Sequence, residues 1–161
     1  NDPECPTMCG WGGQYREVGP NRYEDEPGYG KFISMWEAAR NNDFAARMDW
    51  CILQPGFENR APVIFIDGLE GRSIVNLNGK KGSTMTVSAI GTYDVNDRKL
   101  AYHWRILRPE EFYLPIRLTD GGQSCELGLP VVDMEIHLIL EVMNDGNPSV
   151  SSYRRIMISV G

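Results

Sequence analysis

The hydrophobic period of the chain changes near residue 60, and this change most limits the folds that the chain can adopt. Before it, Gly- and Pro-rich stretches surround an apolar pattern with three- and four-residue spacing; beyond it, apolar and polar residues alternate in short runs. The first spacing is typical of an amphipathic helix, and the alternation is typical of half-buried strands. The sequence therefore predicts a loop and helical segment over residues 1–60 and a β-domain over residues 61–161.

The β-domain is predicted to contain seven or eight short strands. Gly, Pro and Asn turn signals separate them, and no helical pattern lies between them. Such a series is typical of a β-sandwich, and about 100 residues is the size of one immunoglobulin-like domain. We therefore expect a mostly β protein, an immunoglobulin-like antiparallel β-sandwich preceded by a short helical and loop segment. The predicted strands are 62–67, 73–77, 84–90, 99–107, 115–118, 124–129, 135–142 and 152–160.

Trp104 stands at the centre of the run 99–107 and is either a ligand platform or part of the core. Tyr102, Trp104 and Ile106 share one face of this run, and polar residues alternate with them. A strand in this position of an immunoglobulin-like sandwich carries a Trp buried between the sheets. We therefore expect Trp104 in the core and the alternating polar residues in water.

A helix is predicted in two pieces, over 31–40 and over 43–52. Asn41 and Asn42 interrupt the pattern, and the side chain of either residue is suited to ending one helix or capping the next. Residues 54–62, with two prolines and a glycine, are predicted to be a linker. The apolar positions that define the pattern are Ile33, Trp36 and Ala39, followed by Phe44, Ala45 and Met48.

Charge and composition exclude two classes of function. The net charge is −6, and no Lys/Arg-rich stripe is present to neutralise phosphates, which argues against nucleic-acid binding. No apolar stretch reaches 18 residues, so no membrane-spanning segment is expected.

Four cysteines, Cys5, Cys9, Cys51 and Cys125, allow three full pairings, among which the sequence does not choose. The Cys5–Cys9 pair has no nearby His or second cysteine pair, which argues against a zinc site. Cys51 and Cys125 lie among apolar residues and are expected to be buried free thiols.

No catalytic motif is visible in the chain. His103 and His137 are the only histidines, and each is assigned to the non-core face of a strand. Glu110 and Glu111 are adjacent in sequence, so their carboxylates do not converge on a glycosidic bond. We expect no catalytic residues and no cofactor in this chain alone.

Asp94, Asn96 and Asp97 form an oxygen-rich turn before the strand 99–107. Calcium prefers several oxygen ligands, so these residues are a weak calcium candidate. The alternative is an Asx turn, in which the side chains accept hydrogen bonds from nearby backbone N–H groups.

Four aromatic residues outside the core pattern are candidates for carbohydrate binding: Tyr23, Tyr29, Phe112 and Tyr113. Sugars stack their C–H faces on aromatic rings, and such contacts contribute about 1 kcal/mol. Phe112 and Tyr113 lie in a loop between prolines, and the alternative is that they fold down over the edge of the sandwich.

Five stretches of the chain resemble one bacterial family. They are "GWGGQY" at 10–15, "NDFAARMDWCI" at 42–52, "APVIFIDG" at 61–68, "LAYHW" at 100–104 and "HLILEVMNDGNPSVSSYRRIMISV" at 137–160. Members of that family join a nucleoside-hydrolase-like domain to a C-terminal immunoglobulin-like domain, and one member is labelled a cellulose-binding protein. "NDFAARMDW" and "ILEVMNDGNPSVSSYRR" carry the resemblance most specifically.

The resemblance implies that residues 1–60 are the C-terminal remnant of a hydrolase-like domain and that residues 61–161 are the complete C-terminal domain. The missing N-terminal domain is then the expected partner. Trp11, Gly12 and Gly13 would border a pocket built mostly by absent residues, or form a Gly turn around a packed Trp. The calcium-binding Asp cluster of nucleoside hydrolases is not in this chain, so calcium is expected only in the full-length domain.

Three functions follow from the resemblance. The first is a non-catalytic accessory module of an exported, extracytoplasmic protein, which binds a cellulose-like polysaccharide or positions the hydrolase-like domain. The second is completion of an N-glycoside-hydrolase pocket by residues 1–60. The third is a purely structural clamp between domains.

Overall fold

A computed structural model describes residue 7 and residues 15–24, 34–107 and 116–161 of the chain. These residues form one long helix, α1, and short or medium strands, and none of their helices is long and apolar enough to cross a membrane. Helix α1 spans Glu37–Trp50. The strands are β1 (Arg16–Gly19), β2 (Arg22–Glu24), β3 (Phe65–Ile66), β4 (Leu69–Glu70), β5 (Val75–Gly79), β6 (Thr84–Ser88), β7 (Leu100–Ile106), β8 (Arg117–Asp120), β9 (Ser124–Gly128), β10 (Met134–Asn144) and β11 (Ser151–Val160).

Two sheets form a sandwich. One has the strand order β5-β11-β10-β7 and the other β6-β9-β8. Their facing side chains make the main core, because alternate residues of each strand point inward: Val87 and Leu127 from one sheet, Leu138 and Ile158 from the other. The predicted mostly β sandwich with a preceding helix is confirmed. One pairing departs from the all-antiparallel expectation, since β5 runs parallel to β11.

Trp104 belongs to this core, as predicted. Its side chain is 6% exposed, and its indole Nε1 donates a hydrogen bond of 2.8 Å to the carbonyl of Gly122. Strand β7 lies beside β10 in the sheet that also holds β11.

The middle of the outer face of the four-stranded sheet is covered, which corrects the expectation that Arg105 meets water, whereas His103 meets water as expected. His103 is exposed, but Arg105 is half-buried and Glu141 and His137 are buried. A second apolar cluster covers this face, because the segment at the start of α1 lies against it. Its buried members are Trp36, Ala39, Leu107 and Ile139.

Helix α1 is continuous through Asn41 and Asn42, so the predicted break is wrong. Asn lowers helix propensity by less than about 0.7 kcal/mol per residue, and the buried stripe of Ala39 and Ala46 spans the two positions. The predicted apolar face is also wrong in its second half. Phe44 and Met48 lie on the side opposite Ala39 and Ala46, at 66% and 53% exposure.

The end of the predicted linker is fixed to the sandwich. Asn59 is buried, and its Nδ2 donates to the carbonyl of Pro148 at 2.6 Å. The Nδ2 of Asn144 donates to Asn59 Oδ1 at 2.8 Å and to the Arg60 carbonyl at 2.9 Å. A Cβ atom on Gly146 would lie 2.0 Å from Asn59 Nδ2, so the turn between β10 and β11 requires glycine there.

The two cysteines within the described residues differ. Cys125 is a buried free thiol, as expected, and burial and then the charge of Asp120 raise its pKa to about 12. Cys51 is also free, but it is exposed and not buried as predicted, because it follows the last turn of α1 on the solvent side. Cys5 and Cys9 lie outside the described residues.

Candidate functional site

A cleft with charged and apolar lining residues lies between α1 and the start of β11. It consists of two adjoining hollows with volumes of about 270 and 220 Å³. Both hollows share the side chains of Ala61, Arg72, Ser152 and Tyr153. The first adds Asp43, Arg47 and Ser151, and the second adds Pro62, Val63, Ile64, Glu70 and Gly71.

The helix supplies an ion pair to the first hollow. Asp43 and Arg47 are four residues apart and therefore lie on one side of α1. Arg47 Nε donates to Asp43 Oδ2 at 2.8 Å. This hydrogen bond, and then the negative charge of Asp43, raise the pKa of Arg47 above the ordinary value for arginine.

A buried arginine holds the turn that supplies Glu70 and Arg72. Arg154 is 2% exposed, and its Nε donates to the Ser73 carbonyl at 3.1 Å. Its Nη1 donates to the carbonyls of Leu69 and Ile64. Burial lowers the pKa of Arg154, and the three carbonyl oxygens receive its donors. Because two of those carbonyls flank residues 70–72, Arg154 fixes this turn in space.

Strand β11 forms the third wall. Ser152 Oγ donates to the Pro62 carbonyl at 2.6 Å and so ties the segment 61–64 to the strand. The Tyr153 ring stacks on Trp36, with centroids 5.4 Å apart and planes 28° apart. The Arg105 guanidinium lies 4.9 Å from the centre of the same Trp36 ring and pairs with Glu141 at 2.7 Å. Tyr153, the aromatic residue of this wall, is therefore supported by Trp36 and Arg105.

The cleft carries balanced charge. Asp43 and Glu70 contribute two carboxylates, and Arg47 and Arg72 contribute two guanidinium groups. Arg72 is exposed and has no ion pair with any residue that the structure describes. The arrangement offers hydrogen-bond donors and acceptors of both charges to a small polar ligand. Within the described ranges, no group of three or more His, Cys, Asp or Glu side chains is placed to hold a metal ion.

Most of the predicted carbohydrate and pocket residues lie outside the described part of the chain. This applies to Tyr29, Phe112, Tyr113, Trp11, Gly12 and Gly13. Tyr23 is described: it lies in β2, pairs with Glu17 of β1 and is half-buried. The predicted aromatic platform and pocket border therefore stay predictions.

The oxygen-rich turn adopts the Asx alternative. Asp94 is buried, and its Oδ1 accepts a hydrogen bond from the Asn96 backbone N–H at 2.8 Å. Its Oδ2 accepts from Asn144 Nδ2 at 2.8 Å. Asp97 takes a positive φ of 55° in the same turn. Both carboxylate oxygens of Asp94 thus have structural partners.

The cleft residues were missed in the sequence because they come from separate segments with no shared motif. One signal was available. Asp43 and Arg47 lie in "NDFAARMDW", and Ser151 to Tyr153 lie in "SSYRR", the two stretches that carry the family resemblance most specifically. These stretches meet across the cleft.

A second feature is the uncovered face of α1 and of the residues that follow it. Phe44, Met48 and Ile52 recur every four residues and are 66%, 53% and 83% exposed. Phe57, farther along, is 70% exposed. We call Phe44, Met48 and Ile52 the apolar stripe.

Comparison with known proteins shows which structures and families the chain is similar to. A structure of a nucleoside hydrolase-related hypothetical protein from Saccharophagus degradans, described as associated with carbohydrate metabolism, superposes with a TM-score of 0.85 at 26% identity. The match covers 100% of this chain and 44% of that one, so the present chain spans less than half of its relative. No curated protein matches the chain.

Two human structures are more distant. Repeats 21–23 of the cadherin CDH23 give a TM-score of 0.45 at 12% identity, covering 63% of this chain and 33% of theirs. The PapD-like domain 7 of CEP192 gives 0.39 at 12% identity, covering 68% and 93%.

The family comparison matches the end of the sandwich. Residues 84–160, from β6 to the last residue of β11, match the model of the C-terminal domain of the cellulose-binding protein Sde0182. The resemblance drawn from the sequence is thereby confirmed, by the family match over residues 84–160 and by the structural match over the whole chain.

Proposed function

We propose that the chain is a non-catalytic accessory module, an immunoglobulin-like sandwich whose helix positions a nucleoside-hydrolase-related domain in an exported protein that acts on carbohydrate. The apolar stripe is the observation that carries this proposal. Helix α1 already buries one side on the sandwich, and on the other side it presents Phe44 and Met48 to solvent. An amphipathic helix with a second apolar side needs a second partner, because exposed apolar patches mark interaction sites.

The occupant follows from the comparison. The Saccharophagus degradans protein is nucleoside hydrolase-related, and this chain corresponds to 44% of its length. The remaining part of such a protein, its hydrolase-related domain, is the partner that we expect to dock on the apolar stripe of α1. Residues 1–60 are then the end of the hydrolase-related domain, and the contact of Asn59 with Asn144 holds the end of this segment on the sandwich.

Carbohydrate binding is the second candidate function. The matched family is described as cellulose-binding, and the relative is described as associated with carbohydrate metabolism. These descriptions support a role in which the sandwich, or the aromatic residues Tyr23, Tyr29, Phe112 and Tyr113, contacts polysaccharide. Completion of an N-glycosidase pocket by residues 1–60 is the enzymatic alternative.

Cys51 provides a test of the docking proposal. Its exposed thiol lies just beyond α1, next to the stripe residues Met48 and Ile52. We would label the 161-residue chain and a longer parent chain with a thiol reagent and quantify the peptide that contains Cys51 by mass spectrometry. Rapid labelling in the short chain and strong protection in the parent support docking; equal rates would refute it.

The matched variants identify the surface. Phe44→Ser with Met48→Ser removes two apolar side chains that together contribute about 3 kcal/mol when buried, so docking should weaken on the order of 100-fold. Protection of Cys51 in the parent should then be lost. The control, Ile90→Ser with Val131→Ser, changes two exposed apolar residues of the sandwich and should leave protection intact. Hydrolysis of nucleosides by the parent that disappears with Trp11→Ala would favour the enzymatic alternative.

A further inference from the structure

We propose that the cleft between α1 and β11 is a binding site for a neutral saccharide of one or two sugar rings. This inference goes beyond domain positioning, and it assigns the carbohydrate contact to residues that the aromatic candidates do not include. Each hollow, at about 270 and 220 Å³, lies below the range of about 300–1,000 Å³ that is typical of drug-sized ligands. Each is therefore suited to a ligand the size of a single ring.

The backbone that carries the lining side chains is fixed before any ligand arrives. Arg154 holds the turn of Glu70 and Arg72 through the carbonyls on either side of it. Gly71, whose φ is 127°, adds a backbone hydrogen bond of 3.2 Å to the Ile64 carbonyl. Ser152 fixes the opposite segment through Pro62. A preorganised lining lowers the cost of ordering side chains on binding, which distinguishes a built site from an incidental groove.

The charge balance selects the ligand class. An anion would meet the carboxylates of Asp43 and Glu70, and a cation would meet the guanidinium groups of Arg47 and Arg72. An apolar ligand would desolvate four charged groups without giving them new partners. A sugar ring has hydroxyl groups that both donate and accept, so it satisfies carboxylates and guanidinium groups together.

The binding contacts can be assigned from the shared lining. Arg72 borders both hollows and has no ion pair with the described residues, so its N–H groups are available to sugar oxygens. Hydrogen bonds to charged groups are among the stronger ones in proteins. Tyr153, stacked on Trp36, gives both hollows a rigid aromatic wall.

The cleft and the apolar stripe occupy different sides of α1. Asp43 and Arg47 form one line along the helix, and Phe44 and Met48 form the next. Variants of one line leave the other in place. Saccharide binding and domain docking therefore succeed or fail independently.

The test is a chemical-shift titration of the ¹⁵N-labelled 161-residue chain with glucose, cellobiose and cellotetraose, and separately with glucuronate and inorganic phosphate. We expect a neutral sugar to shift the amides of Asp43, Arg72 and Ser151 to Tyr153. Arg72→Ala should weaken this binding by at least about tenfold. The control, Lys80→Ala, removes an exposed cation just beyond the other end of β5 and should bind as the wild type does.

Four outcomes would overturn the proposal. One is the absence of shifts with every saccharide, and another is a set of shifts that maps elsewhere, such as residues 108–115. A third is equal affinity of the Arg72→Ala and Lys80→Ala chains. The fourth is tighter binding of phosphate or glucuronate than of the neutral sugars, since the cleft would then select an anion.

Discussion

The inner face and the middle of the outer face of the four-stranded sheet are both buried, but by different means. Inside, Leu138 and Ile158 meet the second sheet through apolar contacts alone. Outside, Glu141 and Arg105 form an ion pair beneath Trp36, which stacks on Tyr153. Apolar packing is strong and largely non-directional, whereas ion pairs and ring contacts depend on geometry. The inner face thus supplies stability, and the outer face sets where the helix sits.

The largest expected effect breaks the inner face. Leu138 is fully buried in β10, and Leu138→Ala should lower the free energy of unfolding by about 2–5 kcal/mol because it leaves a cavity. Urea unfolding followed by circular dichroism measures this loss. Ile90→Ala, at a residue that is 67% exposed, should change stability little. An equally small loss for Leu138→Ala would contradict the assignment of this face as the main core.

The next effect breaks the outer face. Glu141→Gln removes the charge that pairs with Arg105 and should cost about 1–3 kcal/mol, since the guanidinium lies partly buried beneath Trp36. Near-ultraviolet circular dichroism should also change, because the Trp36–Tyr153 stack rests on this pair. The matched control is Glu126→Gln on the exposed side of β9. An unchanged aromatic spectrum would mean that the pair does not position the helix.

The third effect is a pH dependence of stability that comes from Cys125, a buried thiol on the inner side of the sandwich. Burial raises the pKa of Cys125 to about 12, so the folded protein retains the thiol proton at a pH where the unfolded chain releases it. Stability from this group is therefore intact below the unfolded pKa and falls as pH rises through about 9 towards 12, by on the order of 1 kcal/mol near pH 10. Urea midpoints near pH 7 and pH 10 measure the slope. Cys125→Ala should flatten it; an unaltered slope would assign the pH dependence to other groups.

The smallest effect concerns the cleft edge of the helix. Asp43→Asn removes the i,i+4 ion pair with Arg47 on the surface of α1 and should cost only about 0.3–0.5 kcal/mol. Thermal unfolding, with Glu126→Gln on the exposed side of β9 as the control, resolves whether the loss is this small. A loss comparable to that of Glu141→Gln would show that the pair contributes to docking of the helix.

The strands with strict alternation were predicted most closely. The runs 99–107, 135–142 and 152–160 match β7, β10 and β11 within about two residues, because alternation over long runs fixes both the extent and the inward face of a strand. The hairpin of β1 and β2 and the short strand β4 were missed. Their two to four residues are too few to show a period.

The sequence shows which residues share one face of a strand or helix. It does not show whether another element packs over that face. Alternation assigns Arg105 and Glu141 to the outer face but contains no information on whether another element lies over them. The same limit applies to Phe44, which the spacing grouped with the buried side of the helix. The cleft was missed for a related reason, since Asp43, Arg72 and Tyr153 become neighbours only when the helix lies on the sheet.

The contacts of Asn59 have a mechanical consequence. Trp50 Nε1, at the end of α1, donates to the Asn59 carbonyl at 2.8 Å, and the Asn59 side chain bonds to the turn between β10 and β11. A segment with two prolines and a glycine would ordinarily act as a hinge. Here a force applied to the helix passes through Asn59 into the longest strands of the sandwich. A domain docked on α1 would therefore move together with the sandwich as one rigid body.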